Sequence, residues 1–529
     1  MMKKHRSLWV IIFVYLLANA VIFVFSLYLT GGNFVYALDD PYIHMSMANN
    51  LLNHGHWAIN QMDFTSASSS PLWVLIISGT YFFSGVNTAI PLILNILFQI
   101  LSIIIVYYIL KNYGISKYLI PFIFAFVFIT PLPAILFTGM EHSAQVVFAL
   151  LFVFYGIKLI TANDKKDENF KLLLLFTPVF TALRYEDMIP VLIICVLLLA
   201  RRKFLYALLI LLPGLLPIVI YGLLSTSHGW MAVPNTILLK STPPDYSVTG
   251  LVRFSFKAFS NITEPHLFVV LIICSFLYVF NFKREKSFWD GKQIFLLVVA
   301  LSILINMSLI EYHQNGAFYR YEAYLMALGT IAISVCVYDL IPGFLALLRV
   351  KNNSKYVVLI LLLIVLSPLV IRAFTAFGIP HATREYYVQQ YQMAQFVKLY
   401  GKDMNVALND IGMVGYYSNN KVIDLWGVGN IEVAKQRLNG TFSTSSIAGL
   451  TRKENIRLAI LYETWFEAYG GFPSSWKKLA EWTMTDYNYF LGHSTVSIYS
   501  TNPAEEIYLK EKLKEFSLQL PRTVICKLY

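Results

Sequence analysis

Charge is scarce in this chain: Asp, Glu, Lys and Arg make up 13% of its 529 residues, against 57% hydrophobic residues. Soluble domains carry about 25% charged residues, so this composition excludes an ordinary soluble protein and puts most of the chain in lipid. Cysteine is scarce too. Cys195, Cys274 and Cys336 lie in apolar runs and Cys526 stands alone near the C-terminus, which excludes a disulfide framework and a cysteine metal site. No internal repeat is visible. The net charge of +11 comes from Lys and Arg scattered in short loops, which argues against nucleic acid as a partner and for the positive-inside bias of a membrane protein. The first apolar run, 8–30, follows Lys3, Lys4 and Arg6. It is too long for a signal peptide and has no small-residue cleavage site, so it is expected to remain as an anchor.

Runs long enough to span occur near 8–30, 88–110, 117–137, 140–160, 203–225, 264–282, 293–312, 321–345 and 356–376, each near the ~20 residues a crossing needs. Arg184-Tyr185-Glu186-Asp187 interrupts 171–200, predicting two short helices that meet at a polar turn. The run 71–84, opened by Pro71, is too short to cross and is expected in the outer interface. About eleven crossings follow. With the N-terminus inside, the clusters at Lys111/Lys117, Lys165/Lys166/Lys171, Arg201/Arg202/Lys203, Lys283/Arg284/Lys286 and Arg349/Lys351/Lys355 all fall on the cytoplasmic side. Asp39/Asp40, Glu141/His142, the 184–187 turn, the loop 226–262 and the stretch from His313 to Glu322 fall on the other side. From about residue 377 the pattern changes to short β-rich runs (406–408, 422–425, 458–461, 496–499) with helical stretches such as 386–400, enough for a small α/β domain. The expected architecture is a polytopic α-helical membrane domain over 1–376, its first outer loop at 31–70, and an extracytoplasmic α/β domain over 377–529.

The paired carboxylates are the first place to look for chemistry, since acidic groups beside hydrocarbon are costly and useful for acid/base work. Asp39-Asp40-Pro41 also suits a helix start, so both aspartates acting as caps is the plainer alternative. On that helix Asp40 and His44 share a face. The hydroxyl-rich stretch 65–73 is equally a plain loop or a sugar- or phosphate-binding one. Asp410 and Asp424, flanking Gly412, Gly415 and Gly427, read as strand-turn-strand punctuation, with contact to a glycan as the alternative.

Several motifs carry a resemblance. Asp39-Asp40-Pro41-Tyr42-Ile43, Ala48-Asn49-Asn50-Leu51, Gly55, Asn60 and Ser70-Pro71-Leu72-Trp73 are followed in order by Gly139-Met140-Glu141, Arg184-Tyr185-Glu186-Asp187, Pro234-Asn235-Thr236 with Lys240, and Arg320-Tyr321. Asp410-Ile411-Gly412, Gly415-Tyr416-Tyr417 and 422–427 close the series. The set resembles polytopic GT-C glycosyltransferases, most closely the subset typified by mycobacterial terminal arabinofuranosyltransferases. His44, Ser46, Tyr185 and Asp187 depart from that pattern.

The resemblance implies inverting transfer of a sugar from a polyprenyl-phosphate donor to a cell-envelope glycan or lipid-linked acceptor, on the extracytoplasmic face of the plasma membrane. It implies Asp40 as general base, with Asp39 orienting the acceptor or tuning its neighbour, and Arg320, Lys240, Arg184 and Tyr321 on the donor phosphate. His44, Glu141, His142, Glu186 and Asn235 are the candidates for acceptor or sugar. The plainer alternatives are an ion pair of Arg320 with Glu322, headgroup snorkelling of Lys240, and a satisfied interfacial pair at Glu141-His142. No dedicated metal spacing is present, and a divalent cation held by two acids and a His stays open. The rival function is a transporter or flippase of lipid-linked intermediates, which would place polar groups at the bilayer midplane and often carry repeats.

Overall fold

The computed structural model describes residues 6–59, 64–162, 168–239, 265–285, 287–309, 318–349 and 354–529. Among these, eight helical stretches are long and apolar enough to cross a membrane: Arg6–Leu29, Ile90–Asn112, His142–Thr161, Phe204–Ser227, Pro265–Arg284, Gly291–Leu309, Ala323–Ala346 and Lys355–Tyr400. The chain is a multi-pass membrane protein. The other expected crossings are built from shorter pieces. The run 117–137 divides at Pro131 into Leu119–Ile129 and Leu132–Leu136, because proline cannot continue the preceding turn. The polar interruption at 184–187 does what its sequence predicts: Glu168–Leu183 and Met188–Ala200 meet at a 3-10 turn, Tyr185–Asp187. Pro71–Ser84 opens on its proline and, at 1.5 Å per residue, is too short for a ~30 Å hydrocarbon layer.

Packing divides the chain into two compact units. The first, Met1–Ile22, Leu92–Ile220 and Ser241–Gly378, is helical. Its core includes Tyr15, Phe126, Val153, Leu198, Val299 and Leu328. Apolar side chains also face outward, Leu363 at 70% and Ile364 at 62% exposure, where acyl chains would cover them. Since lipid is as apolar as leucine, helix association depends on close approach. Gly329 supplies one such contact, for a Cβ there would stand 2.5 Å from Val270 Cγ1.

The second unit, Phe23–Pro91, Tyr221–Lys240 and Ile379–Tyr529, holds a six-stranded sheet. Its strands are β1 (Asn405–Leu408), β2 (Val422–Asp424), β3 (Ile456–Leu461), β4 (Lys477–Met484), β5 (Thr495–Ser500) and β6 (Val524–Leu528), in the order β2-β1-β3-β5-β4-β6. β2, β1 and β3 are parallel, and β5, β4 and β6 continue the sheet antiparallel. Ala407, Ile423, Leu461 and Phe466 are among the residues of its core. Sequence reading found β1, β2, β3 and β5 and passed over β4 and β6. The stretch Phe23–Pro91, which contains the Asp39-Asp40 pair, groups with the sheet by its packing. The direction of winding reverses between β1 and β3, and Asp410 and Tyr462 follow the carboxyl ends of these two strands. Crevices at such switch points are where open α/β sheets bind ligands.

Candidate functional site

In the sheet unit the helix Asp40–His54 has Pro41 in its first turn and Asp39 at its N-cap position. Asp39 does not cap that helix. Its side chain reaches a segment 373 residues further along the chain, where Oδ2 accepts from the Gly412 N–H at 2.6 Å and Oδ1 from the Met413 N–H at 2.8 Å. These are first-turn donors of the helix Gly412–Tyr417, which has no side-chain cap of its own, so Asp39 satisfies groups that every helix start leaves unpaired. The plainer reading of the pair as two caps on one helix is thus replaced by one cap in trans. Asp40 is the more exposed of the two carboxylates. Gly412 is glycine because of this approach: a Cβ there would stand 2.2 Å from the Asp39 carbonyl oxygen.

A third carboxyl joins them. Asp410 Oδ2 accepts from Gln390 Nε2 at 3.0 Å, and the same nitrogen donates to the Tyr462 hydroxyl at 2.8 Å. Gln390 lies in a π-helical turn, Tyr387–Tyr391, a feature frequent at functional sites. Burial holds the Asp410 proton well above the usual carboxylate range, and the charges of Asp39 and Asp40 add to the shift. For Asp39, burial outweighs the two N–H donors and pushes its pKa up to about 7, Asp40 again adding. Asp424, at the end of β2, accepts from the N–H groups of Trp426, Gly427 and Gly429 at 2.6, 3.0 and 2.6 Å, yet burial still pushes it up to about 6.

These shifts set a pH dependence. A carboxyl whose folded-state pKa is raised binds protons more tightly when folded, so its stabilising contribution is complete below about pH 4 and is lost as pH rises to about 7. The part of the unfolding profile due to Asp39 is therefore expected to fall between pH 4 and 7. Thermal unfolding in detergent across that range checks it: Asp39→Asn should flatten the profile, and an unaltered slope would contradict the assignment.

The helical unit carries a separate polar network. Arg184 is buried between two carboxylates, with Nη1 at 2.9 Å from Glu141 Oε1 and Nε at 2.5 Å from Glu186 Oε1. Its guanidinium also lies over the Tyr321 ring at 5.3 Å. Arg320 stands over the same ring at 4.8 Å and donates from Nη2 to the Tyr321 hydroxyl at 2.9 Å. The His142 ring meets Tyr321 edge-on at 5.7 Å, while its Nδ1 is 3.1 Å from Gln145 Oε1. Gln145 Nε2 in turn donates to Asp187 Oδ1 at 2.8 Å. Glu141, His142, Arg184, Glu186, Arg320 and Tyr321 thus come together although three stretches of chain supply them. Glu141 and Glu186, expected on acceptor or sugar, are both engaged by Arg184, which suits Arg184 to holding the network in place.

The ion pair weighed for Arg320 with Glu322 takes a different form. Glu322 Oε1 is 2.7 Å from Arg372 Nη1 and 3.1 Å from His266 Nε2. Arg372 is fully buried and also donates to the carbonyls of Ile129 at 2.7 Å and Tyr319 at 3.0 Å. Phe318 and Tyr319 have φ of 51° and 56°, a left-handed pair costing roughly 1–3 kcal/mol for each residue. Arg372 holds this bend by its bond to the Tyr319 carbonyl and by stacking 4.5 Å from the ring. The bend delivers Arg320 and Tyr321. Arg372→Met leaves the buried Glu322 carboxylate, among the described residues, with His266 as its remaining partner and is expected to destabilise the protein by roughly 3–5 kcal/mol. Equilibrium unfolding in bicelles measures this, and a loss under about 1 kcal/mol would contradict the buried pair.

The remaining expected residues lie as follows. His44 is buried one turn along the helix from Asp40. Asn235 is a tie: its N–H donates to the Ser66 carbonyl at 3.1 Å and its Nδ2 to the Gly427 carbonyl at 2.9 Å. Thr65, Ser66, Ser68 and Ser70 are buried, which favours the plain reading of that loop. Lys240 and His313 lie outside the described residues. Among the described residues no group of three or more His, Cys, Asp and Glu side chains could hold a metal ion. Sequence reasoning missed Gln390, Tyr462, His266 and Arg372. Only Arg372 had a signal, as a lone charge at the end of an apolar run.

A family model described as a domain of unknown function (DUF8728) matches residues 383–499. No curated protein matches the chain. Among solved structures, ArnT from Cupriavidus metallidurans bound to undecaprenyl phosphate is 12% identical, with a TM-score of 0.52 over 94% of this chain and 98% of that one. The oligosaccharyltransferase AglB from Archaeoglobus fulgidus, in complex with an inhibitory peptide and a dolichol-phosphate, is 11% identical, with a TM-score of 0.49 over 99% of this chain and 76% of that one. The chain has the GT-C fold that the order of its motifs predicts.

Proposed function

We propose that this chain is an inverting glycosyltransferase of the extracytoplasmic membrane face, moving a sugar from a polyprenyl-phosphate donor to a cell-envelope glycan or lipid-linked acceptor. The observation that carries the reading is the division of labour in the acid pair. Asp39 is engaged by two backbone N–H groups, while Asp40 beside it is the more exposed carboxylate. Asp40 is therefore the general base that takes the acceptor hydroxyl proton, a role that needs a carboxylate within hydrogen-bond reach. The shared fold with ArnT, a protein solved with undecaprenyl phosphate, supports a lipid-phosphate donor.

Arg320, with Tyr321, is the proposed partner of the donor phosphate, since a guanidinium matches phosphate geometry and stabilises the leaving group as the glycosidic bond breaks. Arg184, already matched by Glu141 and Glu186, positions Tyr321. Lys240 is a second candidate for the phosphate. A phosphate partner acts in the ground state as well as the transition state, whereas a base acts in the chemical step. Arg320→Ala should thus weaken binding of polyprenyl-phosphate sugar in nanodiscs, and Asp40→Asn should leave that affinity unchanged. Unaltered donor affinity in Arg320→Ala removes it from the site.

A further inference from the structure

We propose that a groove on the sheet unit, built around Tyr416 and Tyr417, is a saccharide subsite that takes a non-reacting, acid-bearing part of the acceptor glycan. The proposal rests on the transferase reading above. The groove has a volume of about 390 Å³, and Asn49, Asn87, Thr88, Lys398, Tyr416 and Tyr417 line it. That volume lies within the range of small-ligand sites.

Its lining matches the two kinds of surface on a sugar. The rings of Tyr416 and Tyr417 are 5.0 Å apart and steeply inclined at 77°, so they present differently oriented faces to the C–H surfaces of a pyranose. Both rings are already fixed. Tyr417 packs on Tyr42 at 5.7 Å and on Tyr391 at 5.6 Å, and Tyr416 packs on Tyr42 at 5.8 Å, so little rotamer freedom is left to lose on binding. Around them stand groups suited to hydroxyls. Asn49 Oδ1 accepts from Asn53 at 2.6 Å and Asn87 Oδ1 from the Ala89 N–H at 2.8 Å. Both carboxamides are thereby oriented through their oxygens, leaving their NH₂ groups to donate. Lys398 is exposed on the helix Gln392–Tyr400 and supplies one cation, suited to a uronate carboxylate.

The groove is distinct from the carboxylates. Tyr416 and Tyr417 end the six-residue helix Gly412–Tyr417, whose other end Asp39 caps, about 7 Å away along the axis at 1.5 Å per residue. Asn49 lies nine residues beyond Asp40 on its own helix, about half a turn round at ~100° per residue. A sugar in the groove is therefore a neighbour of the reacting sugar in the acceptor chain and contributes binding energy remote from the chemistry.

The test is calorimetric titration of the full chain in nanodiscs with two soluble probes, a galacturonic acid trimer and maltotriose. The uronate trimer should bind the wild type more tightly. Lys398→Glu should erase that preference, and Asn87→Ala and Tyr417→Ala should weaken both probes about tenfold. Lys398 and Asn87 are exposed, so their variants keep the fold even if Tyr417→Ala, which removes a packed ring, does not. Failure of both trimers to bind the wild type, or equal binding by wild type, Lys398→Glu and Asn87→Ala, overturns the subsite. Asp40→Asn should titrate like the wild type. Retained transfer activity in that variant would sink the transferase reading while leaving these titrations to decide the groove on their own.

Discussion

Asp40→Asn is expected to reduce sugar transfer by roughly 10²–10⁴-fold, the usual contribution of a general base, with donor affinity and unfolding temperature unchanged. The amide keeps the size and shape of the carboxylate but cannot take a proton. Asp39→Asn should cost less activity. Asp39 acts through the Gly412 and Met413 N–H groups, and an amide oxygen can still accept from one of them. Initial rates with saturating polyprenyl-phosphate sugar, measured beside unfolding curves, separate the two. Near-normal turnover in Asp40→Asn would remove it as the base, and a larger loss in Asp39→Asn would exchange the roles.

Gly412→Ala should be the most damaging small substitution in the sheet unit. Its Cβ would stand 2.2 Å from the Asp39 carbonyl oxygen and 2.7 Å from Asp39 Oδ2, and both neighbours are fixed by the start of the helix Asp40–His54. Overpacking of this kind costs roughly 1–3 kcal/mol. Each displaced bond to a charged group adds roughly 1.5–3 kcal/mol, so a loss above about 3 kcal/mol is expected, together with loss of transfer. Gly449→Ala is the control: nothing lies within 4 Å of its Cβ, and its position inside the helix Thr444–Lys453 should make alanine mildly stabilising. Equal stability of the two variants would show that Asp39 does not approach Gly412 as described.

The fold was largely readable from composition and punctuation. Pro71 marks a helix start and the charged run 184–187 a turn between two apolar helices, whereas the break at Pro131 inside the run 117–137 was not read. Three of the four strands first recognised are buried hydrophobic stretches, and the fourth, 496–499, lies in β5, where all but Thr495 are buried. β6 escaped because its face is mostly exposed and carries no burial pattern. β4 escaped because Lys477, Lys478 and Glu481 break its apolar alternation. For the site, residue types were legible and partners were not. The Asp-Asp pair drew attention as chemistry, yet nothing local says that Asp39 spans 373 positions to cap another helix. Gly412 looked like turn punctuation and is glycine because a carboxylate sits against it. Arg320 beside Glu322 suggested a local ion pair, whereas Glu322 is claimed by Arg372, 50 positions away.

The most direct measurement is product analysis with purified protein in vesicles, polyprenyl-phosphate sugar labelled in the sugar, and membranes lacking this protein as the acceptor source. The expected result is one free polyprenyl phosphate for each sugar joined to the acceptor, with inverted anomeric configuration, and both products formed roughly 10²–10⁴-fold more slowly by Asp40→Asn. Intact donor that has only changed leaflets, with no sugar joined to acceptor, would contradict transfer and point to a transporter of the lipid-linked intermediate.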